Sequence, residues 1–134
     1  MAFTHFYKIN PQLGMVIENS IYNGAQILGE GQYQGGSWGT LTELVSYPVD
    51  PEVLNIGFDG NYVEPKEITN KAFGVYVALV VYNQLCWANY TGEPSKESEF
   101  FGELYHKVRY WLMDEGTKHG ITEDEVNHIL RMID

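Results

Sequence analysis

The chain has 134 residues, of which 44% are hydrophobic, 14% aromatic and only 19% charged. This length suits one ordinary domain, and the apolar content can offset the entropy lost on ordering, which excludes a disordered chain. Eighteen acidic residues against eight basic ones leave a formal net charge of −10. Because such a charge repels phosphate, it excludes a general nucleic-acid binder. We therefore expect a single globular domain over residues 1–134, with no direct nucleic-acid partner.

Cysteine content and hydropathy indicate a cytoplasmic protein. Cys86 is the only cysteine, so neither an intramolecular disulfide nor a multi-cysteine zinc site can form. Residues 1–15 contain no apolar run long enough for a secretory signal. The charge-free stretch Ala72–Gly92 has the length of a membrane span, but Asn83 and Asn89 interrupt it and the mean hydropathy of the chain is −0.26. We expect a buried helix there and no membrane partner.

The first helix is predicted over Met15–Leu28, where apolar residues recur at spacings of three and four. Five glycines between Gly29 and Gly39 follow it. Glycine loses backbone entropy in a helix and lacks packing atoms, so this run predicts that the helix ends and a turn begins.

Strands are predicted next. Ser37–Tyr47 is rich in β-branched and aromatic residues, and Glu52–Phe58 continues as a second strand after a proline-containing connection. Asp59-Gly60 is a two-residue hairpin signal, which returns the chain through Asn61, Tyr62 and Val63. The pattern predicts an antiparallel meander.

Three helical segments account for the rest of the chain. Thr69 can cap a long helix from Asn70 to about Tyr90, which has no charged face and must be covered nearly all round. A further helix starts after Ser95 and ends at Gly116 or Gly120.

Thr122 and Glu125 match a capping box, which predicts the start of the last helix. Strands flanked by helices, without alternation of strand and helix, indicate an α+β class. We therefore predict one α+β domain in which a small antiparallel sheet, a meander or a hairpin, packs with about four helices.

Gly35–Gly39 matches the pattern G-x-S-x-G, which in hydrolases presents a nucleophilic serine, here Ser37. That pattern belongs on a strand-to-helix turn, whereas here it leads from a helix into a strand. The candidate bases His106 and His119 have no identified orienting acid. The pattern therefore favours a glycine-rich turn over a hydrolase.

Two E-x-x-H pairs, Glu103/His106 and Glu125/His128, place a carboxylate and an imidazole on one helical face, as in di-metal bundles. Such a bundle needs further inward-facing glutamates, which residues 72–92 do not supply, and capping already occupies Glu125. We expect no catalytic residue, no metal and no cofactor, and hence a protein that is not an enzyme.

Four motifs occur in a characteristic order. They are Tyr33–Trp38 (YQGGSW), the Asp59–Tyr62 turn (DGNY), Ala72–Val75 (AFGV) opening an apolar helix that ends in Gln84-Leu85, and Glu103–His106 (ELYH). In order and spacing this set resembles the ArdB/KlcA antirestriction family over about residues 15–134. Between Trp38 and Pro48 the chain is a few residues shorter than that family, which usually has a glycine-containing hairpin tip there.

The resemblance implies a small α+β protein, carried by plasmids, phages or genomic islands, that protects incoming DNA from type I restriction enzymes without itself being an enzyme. The implied partner is a type I restriction-modification complex or another host defence protein. The candidate interaction residues are those of the first two motifs: Tyr33, Gly35, Gly36, Trp38, Asp59, Asn61 and Tyr62.

The segment around Trp38 permits two interpretations. Gly35 and Gly36 allow a turn with positive φ, flanked by the large side chains of Tyr33 and Trp38. Packing against the domain is one role for Trp38, and a partly exposed protein-binding anchor is the other, because aromatic side chains beside rigid turns are frequent interface hot spots.

Two further functions remain open. An acidic DNA mimic is disfavoured, because duplex DNA carries one charge per about 1.7 Å, so ten net charges match only about 17 Å, roughly five base pairs. An accessory interaction protein of a phage or mobile element without antirestriction activity is equally compatible with an acidic surface. Plating of unmodified phage on a restricting host separates this function from antirestriction.

Overall fold

The computed structural model describes residues 2–58 and 63–134, and this part of the chain forms an α+β fold, as predicted. The helices and strands follow in the order α1 Thr4–Ile9, α2 Pro11–Leu28, β1 Trp38–Thr42, β2 Val45–Pro48, β3 Val53–Phe58, β4 Val63–Thr69, α3 Asn70–Ala88, α4 Lys96–Glu115 and α5 Glu123–Ile133. A 3₁₀ helix, Gly116–His119, joins α4 to α5. The buried apolar residues of these elements form one continuous core.

The N-terminal region contains one helix more than predicted, and α2 begins four residues earlier than the expected Met15. Asn10 ends α1 and caps α2, since its side-chain oxygen accepts hydrogen bonds from the backbone N–H of Gln12 at 2.8 Å and of Leu13 at 3.4 Å. Pro11, at the first helical position, needs no hydrogen-bond partner there. The apolar periodicity begins only after this cap, so it placed the start of the helix too late.

The prediction of one strand over Ser37–Tyr47 is wrong, because the chain reverses within it and forms a β1–β2 hairpin. Trp38 pairs with Pro48, and the hydroxyl oxygen of Thr42 accepts hydrogen bonds from the N–H of Leu44 and of Val45, both at 3.1 Å. A threonine hydroxyl therefore organises a turn that no glycine or proline marks in the sequence.

The predicted antiparallel pairing is present as two hairpins, which form two separate two-stranded sheets and not one continuous meander. In the second sheet β3 pairs with β4, with Val53 opposite Thr69. The predicted Asp59–Tyr62 turn lies outside the described residues. β2 packs on α3 instead of pairing with β3. At Gly74 of α3 an added Cβ would lie 2.7 Å from the Cβ of Tyr47 and closer still to the carbonyl oxygen of Ser46.

Helix α3 is the central element, as its sequence predicts. The hydroxyl oxygen of Thr69 caps it by accepting a hydrogen bond from the N–H of Ala72 at 3.3 Å. The first two thirds of α3 are buried between α2, α4 and the β1–β2 hairpin. The expectation of cover all round fails in the last third, where the side chains of Gln84 and Trp87 are exposed. No helix in the described ranges has the length and apolarity that crossing a membrane requires.

Helices α4 and α5 begin at capping boxes. Ser95 and Ser98 form the first, and Thr122 and Glu125 form the predicted second one. The 3₁₀ helix ends at Gly120, whose φ of 91° favours glycine. The last two helices therefore follow from local capping signals and apolar periodicity, as expected.

Candidate functional site

The YQGGSW segment contributes Tyr33 and Trp38 to a cluster of four aromatic side chains, which also contains Phe3 and Tyr22 and which we call the aromatic cluster. The Trp38 ring is at its centre, with ring centroids 5.4 Å from Tyr22, 5.6 Å from Tyr33 and 6.1 Å from Phe3. The four residues come from the N-terminus, α2, the turn after α2 and the start of β1. The cluster therefore fastens the β1–β2 hairpin to the N-terminal helices.

A hydrogen bond fixes the central ring. The indole N–H of Trp38 donates to the hydroxyl oxygen of Tyr33 at 2.8 Å. Tyr33 is buried, whereas Trp38 is half-buried. The packing interpretation of Trp38 agrees with these contacts, and its role as a binding anchor stays a prediction.

Gly35 and Gly36 supply the turn between these two aromatic residues. Their φ angles are 94° and 115°, and an added Cβ at either position would have no neighbour within 4 Å. Backbone conformation, not crowding, therefore requires glycine here, as the sequence predicts. Ser37 follows on the exposed side of the turn, and within residues 2–58 and 63–134 no hydrogen bond joins its hydroxyl to a histidine.

One carboxylate extends the cluster along α2. Glu18 is half-buried and accepts hydrogen bonds from the hydroxyls of Tyr7 at 2.9 Å and Tyr22 at 3.3 Å. Burial, together with the negative charge of Glu18, raises the pKa of Tyr22 to about 12. The hydrogen bond to Glu18 raises the pKa of Tyr7 as well. At neutral pH both hydroxyls therefore stay protonated as donors.

Sequence reasoning missed Gln32, which ties the glycine-rich turn to the second sheet. Its side-chain N–H₂ group donates to the carbonyl oxygens of Gly29 at 2.9 Å and Asn55 at 2.8 Å. Its side-chain oxygen accepts from the N–H of Asn55 at 2.7 Å. Gln32 thus pairs with β3 as a neighbouring strand would, and no signal in the local sequence reveals a partner 23 residues away.

The two E-x-x-H pairs have separate environments. Glu125 is buried and accepts hydrogen bonds from Thr69 and Thr122, while the ring of His128 is buried against the carbonyl oxygen of Ile56, with Nε2 at 3.2 Å from it. Glu103 and His106 are exposed on α4. In the part of the chain that the structure describes, no three His, Cys, Asp or Glu side chains are grouped as a metal site would need.

The structure brings together four of the seven candidate interaction residues, Tyr33, Gly35, Gly36 and Trp38. Asp59, Asn61 and Tyr62 lie outside the described residues. In the described part of the candidate site, Tyr33 is buried, Trp38 is half-buried and hydrogen-bonded to it, and Gly35 and Gly36 form the turn between them.

Comparisons with known proteins identify the fold. No protein-family model matches the sequence. No curated protein matches it either. Among solved structures, that of the KlcA and ArdB proteins superposes with a TM-score of 0.70 at 23% sequence identity, covering 98% of this chain and 84% of the other. The KlcA and ArdB proteins of that structure are described as having a novel fold and antirestriction activity against type I DNA restriction systems in vivo but not in vitro. The chain therefore has the KlcA and ArdB fold, in agreement with the resemblance of its four motifs.

Proposed function

We propose that the chain is a non-enzymatic antirestriction protein, which protects incoming DNA of a plasmid or phage from type I restriction through contacts with proteins in the cytoplasm. The fold carries this proposal. The likeness to the KlcA and ArdB structure extends over 98% of the chain, so the whole of this chain corresponds to a protein with antirestriction activity and not to an isolated shared motif.

The activity of the solved proteins in vivo but not in vitro supports a mechanism that depends on a cellular component. We therefore expect the chain to act on a restriction-modification complex or another host defence protein, or on its regulation, and not on DNA itself. The rigid turn between Tyr33 and Trp38 is the candidate contact, because the half-buried indole offers area at little cost in side-chain entropy.

The charge distribution supports protein contacts over DNA mimicry. Basic side chains pair with acidic ones on the surface, as in Lys66–Asp124 at 3.1 Å and Arg109–Asp134 at 2.8 Å. A mimic needs an unbroken row of carboxylates that matches the phosphates of a duplex, and interspersed cations interrupt such a row.

The test is the plating efficiency of unmodified phage on a type I restricting strain that expresses the chain. We expect plating to rise toward the value on an isogenic strain without the restriction system. Modified phage on the restricting strain is the control, because its plating must not depend on the chain. If unmodified phage plates as poorly with the chain as with empty vector, the proposal is wrong for that system.

A second experiment separates protein contact from mimicry. Complex formation with the restriction enzyme is measured at low and at high salt. A mimic binds through exposed charges, which salt screens, so its complex weakens strongly. We expect a complex of this chain, direct or in cell extract, to persist at high salt.

A further inference from the structure

Helices α2 and α3 present an exposed surface without charge, which we call the neutral face. Its exposed side chains are apolar or carry amides: Met15, Val16, Asn19, Asn23, Gln26, Ile27, Asn83, Gln84, Trp87 and Ala88. The largest apolar ones are well exposed, with 65% of Ile27, 63% of Trp87 and 55% of Met15 accessible. In each helix these positions recur at spacings of three and four, so they form one stripe.

The two charged residues of these helices are engaged away from the neutral face. Glu18 accepts the hydrogen bonds of Tyr7 and Tyr22, and the ammonium of Lys71 lies 5.9 Å from the centre of the Tyr47 ring. In a chain with a net charge of −10, a surface of two helices without an acidic side chain is a marked departure from the rest of the molecule. Excluding charge at the centre of a patch is typical of protein interfaces.

A groove runs between the two helices within this face. It encloses about 200 Å³, and none of the residues that line it is charged. The small residues Ser20 and Gly24 form part of its α2 wall, and Val80, Gln84 and Ala88 form part of its α3 wall. An added Cβ at Gly24 would lie 2.8 Å from a methyl carbon of Val81, so the helices already pack closely beneath the groove. The groove is large enough for one aliphatic side chain, and Ile27 stands at its edge.

We propose that the neutral face binds the neutral face of a second copy of this chain and forms a symmetric dimer. In a two-fold interface each surface must complement itself. Asparagine and glutamine meet this condition, because an amide both donates and accepts hydrogen bonds and can pair with an identical group. An exposed knob such as Ile27 beside a groove also allows reciprocal insertion, with each copy supplying both parts.

The absence of charge on the neutral face disfavours charged occupants. A basic partner or a nucleic acid gains nothing from a surface without ions, and burying its own charges against apolar groups is costly. Two copies, by contrast, can approach through this face without placing carboxylates opposite one another. Their remaining net charges repel at long range, so salt must strengthen the dimer, unlike an interface held by ion pairs.

The test is sedimentation velocity of the full chain over concentrations from about 1 µM to about 500 µM, which bracket moderate dimer affinities. We expect the mass to rise from 15.3 kDa to twice that value, at lower protein concentration in high salt than in low salt. A mass of one chain at all concentrations and in both salts overturns the proposal. Association that weakens as salt is added also overturns it.

Two variants locate the interface. Ile27→Glu puts a charge beside the groove, and Gln84→Glu keeps the side-chain shape while removing a donor. Each should raise the dimer dissociation constant by roughly tenfold or more, because both copies carry the change. The matched control is Tyr110→Glu on α4, where 62% of the side chain is exposed outside the neutral face.

All three positions are exposed, so circular dichroism should show the same melting temperature for the three variants once the dimer is dissociated by dilution. If Tyr110→Glu separates the copies and the two neutral-face variants do not, the interface lies elsewhere and the proposal is wrong.

Discussion

The carboxylate of Glu125 accepts two hydrogen bonds from Thr69, one from its backbone N–H at 2.7 Å and one from its hydroxyl at 2.9 Å. Thr69 caps α3 and Glu125 belongs to the capping box of α5. One buried side chain therefore joins the first turns of two helices that are far apart in the sequence. The sequence predicts each cap separately and gives no sign that they share an acceptor.

Replacing this acceptor should destabilise the protein. In Glu125→Gln the amide nitrogen cannot accept a hydrogen bond, so at least one donor of Thr69 or Thr122 that now bonds to the buried carboxylate loses its partner. We expect the free energy of unfolding to fall by about 1 to 3 kcal/mol, measured by urea denaturation. Glu123→Gln, at an exposed position in the first turn of the same helix, is the control. An equal effect of both substitutions would contradict the shared-acceptor explanation.

Removing the Tyr33 hydroxyl should weaken the aromatic cluster without removing its rings. Tyr33→Phe leaves the indole N–H of Trp38 without its acceptor, and we expect a loss of about 1 kcal/mol in unfolding free energy. The near-ultraviolet circular dichroism signal of Trp38 should change at the same time. Tyr110→Phe, at an exposed position on α4, should leave the unfolding free energy unchanged. A variant with unaltered stability would show that the hydrogen bond contributes nothing to folding.

The glycine-rich turn offers a test of backbone conformation alone. Gly36→Ala should lower the unfolding free energy by about 1 to 2 kcal/mol, because alanine is strained at positive φ although space is available. Gly102→Ala in α4 is the matched substitution, since there an added Cβ makes only an ordinary contact of 3.5 Å with the sulfur of Cys86.

The Gly102 variant should be more stable by about 0.5 to 1 kcal/mol, because alanine favours a helix over glycine. Opposite signs for the two variants in thermal denaturation are the expected result. The same sign would refute the conformational argument.

The raised pKa of Tyr22 should make the unfolding free energy depend on pH in the alkaline range. Its pKa is raised from 10.0 to about 12 in the folded chain, mainly by burial and next by the charge of Glu18. Deprotonation therefore favours the unfolded state. The stabilisation is fully present below pH 10 and is lost as the pH rises through about 12.

We expect the unfolding free energy of Tyr22→Phe to decline less steeply over this interval than that of the unsubstituted chain, as measured by urea denaturation at a series of pH values. Tyr110→Phe is the control at an exposed position. If both variants follow the unsubstituted chain, Tyr22 does not titrate as described.

Local signals account for most of the fold. The caps at Thr69 and Thr122 and the glycines after α2 are short-range features, and the elements that depend on them were predicted correctly. The β1–β2 hairpin was missed because its turn depends on hydrogen bonds to the hydroxyl oxygen of Thr42. The turn contains no glycine or proline, which are the residues by which a turn is usually recognised in a sequence. The separation of the two sheets was missed because it results from the packing of β2 on α3.

The candidate site was predicted only in part. Glycine patterning located the positive-φ turn at Gly35 and Gly36, and the aromatic residues on each side of it proved to be in contact. The contributions of Phe3, Tyr22 and Gln32 depend on which elements meet in three dimensions. The periodicity of apolar residues along the chain contains no information on those tertiary contacts.

The close approach at Gly74 restricts the residue type at this position. A glycine inside a helix lowers helix stability, so its presence one turn after Thr69 needs a compensating gain, and the strand backbone resting at Ser46 supplies it. Any chain that packs the β1–β2 hairpin on α3 at the same distance must have a glycine at the position of Gly74, or its strand β2 must lie farther from the helix. In this chain the requirement is met by the glycine of the AFG start of α3, so a glycine at that point of a largely uncharged helix is what such packing demands of a sequence.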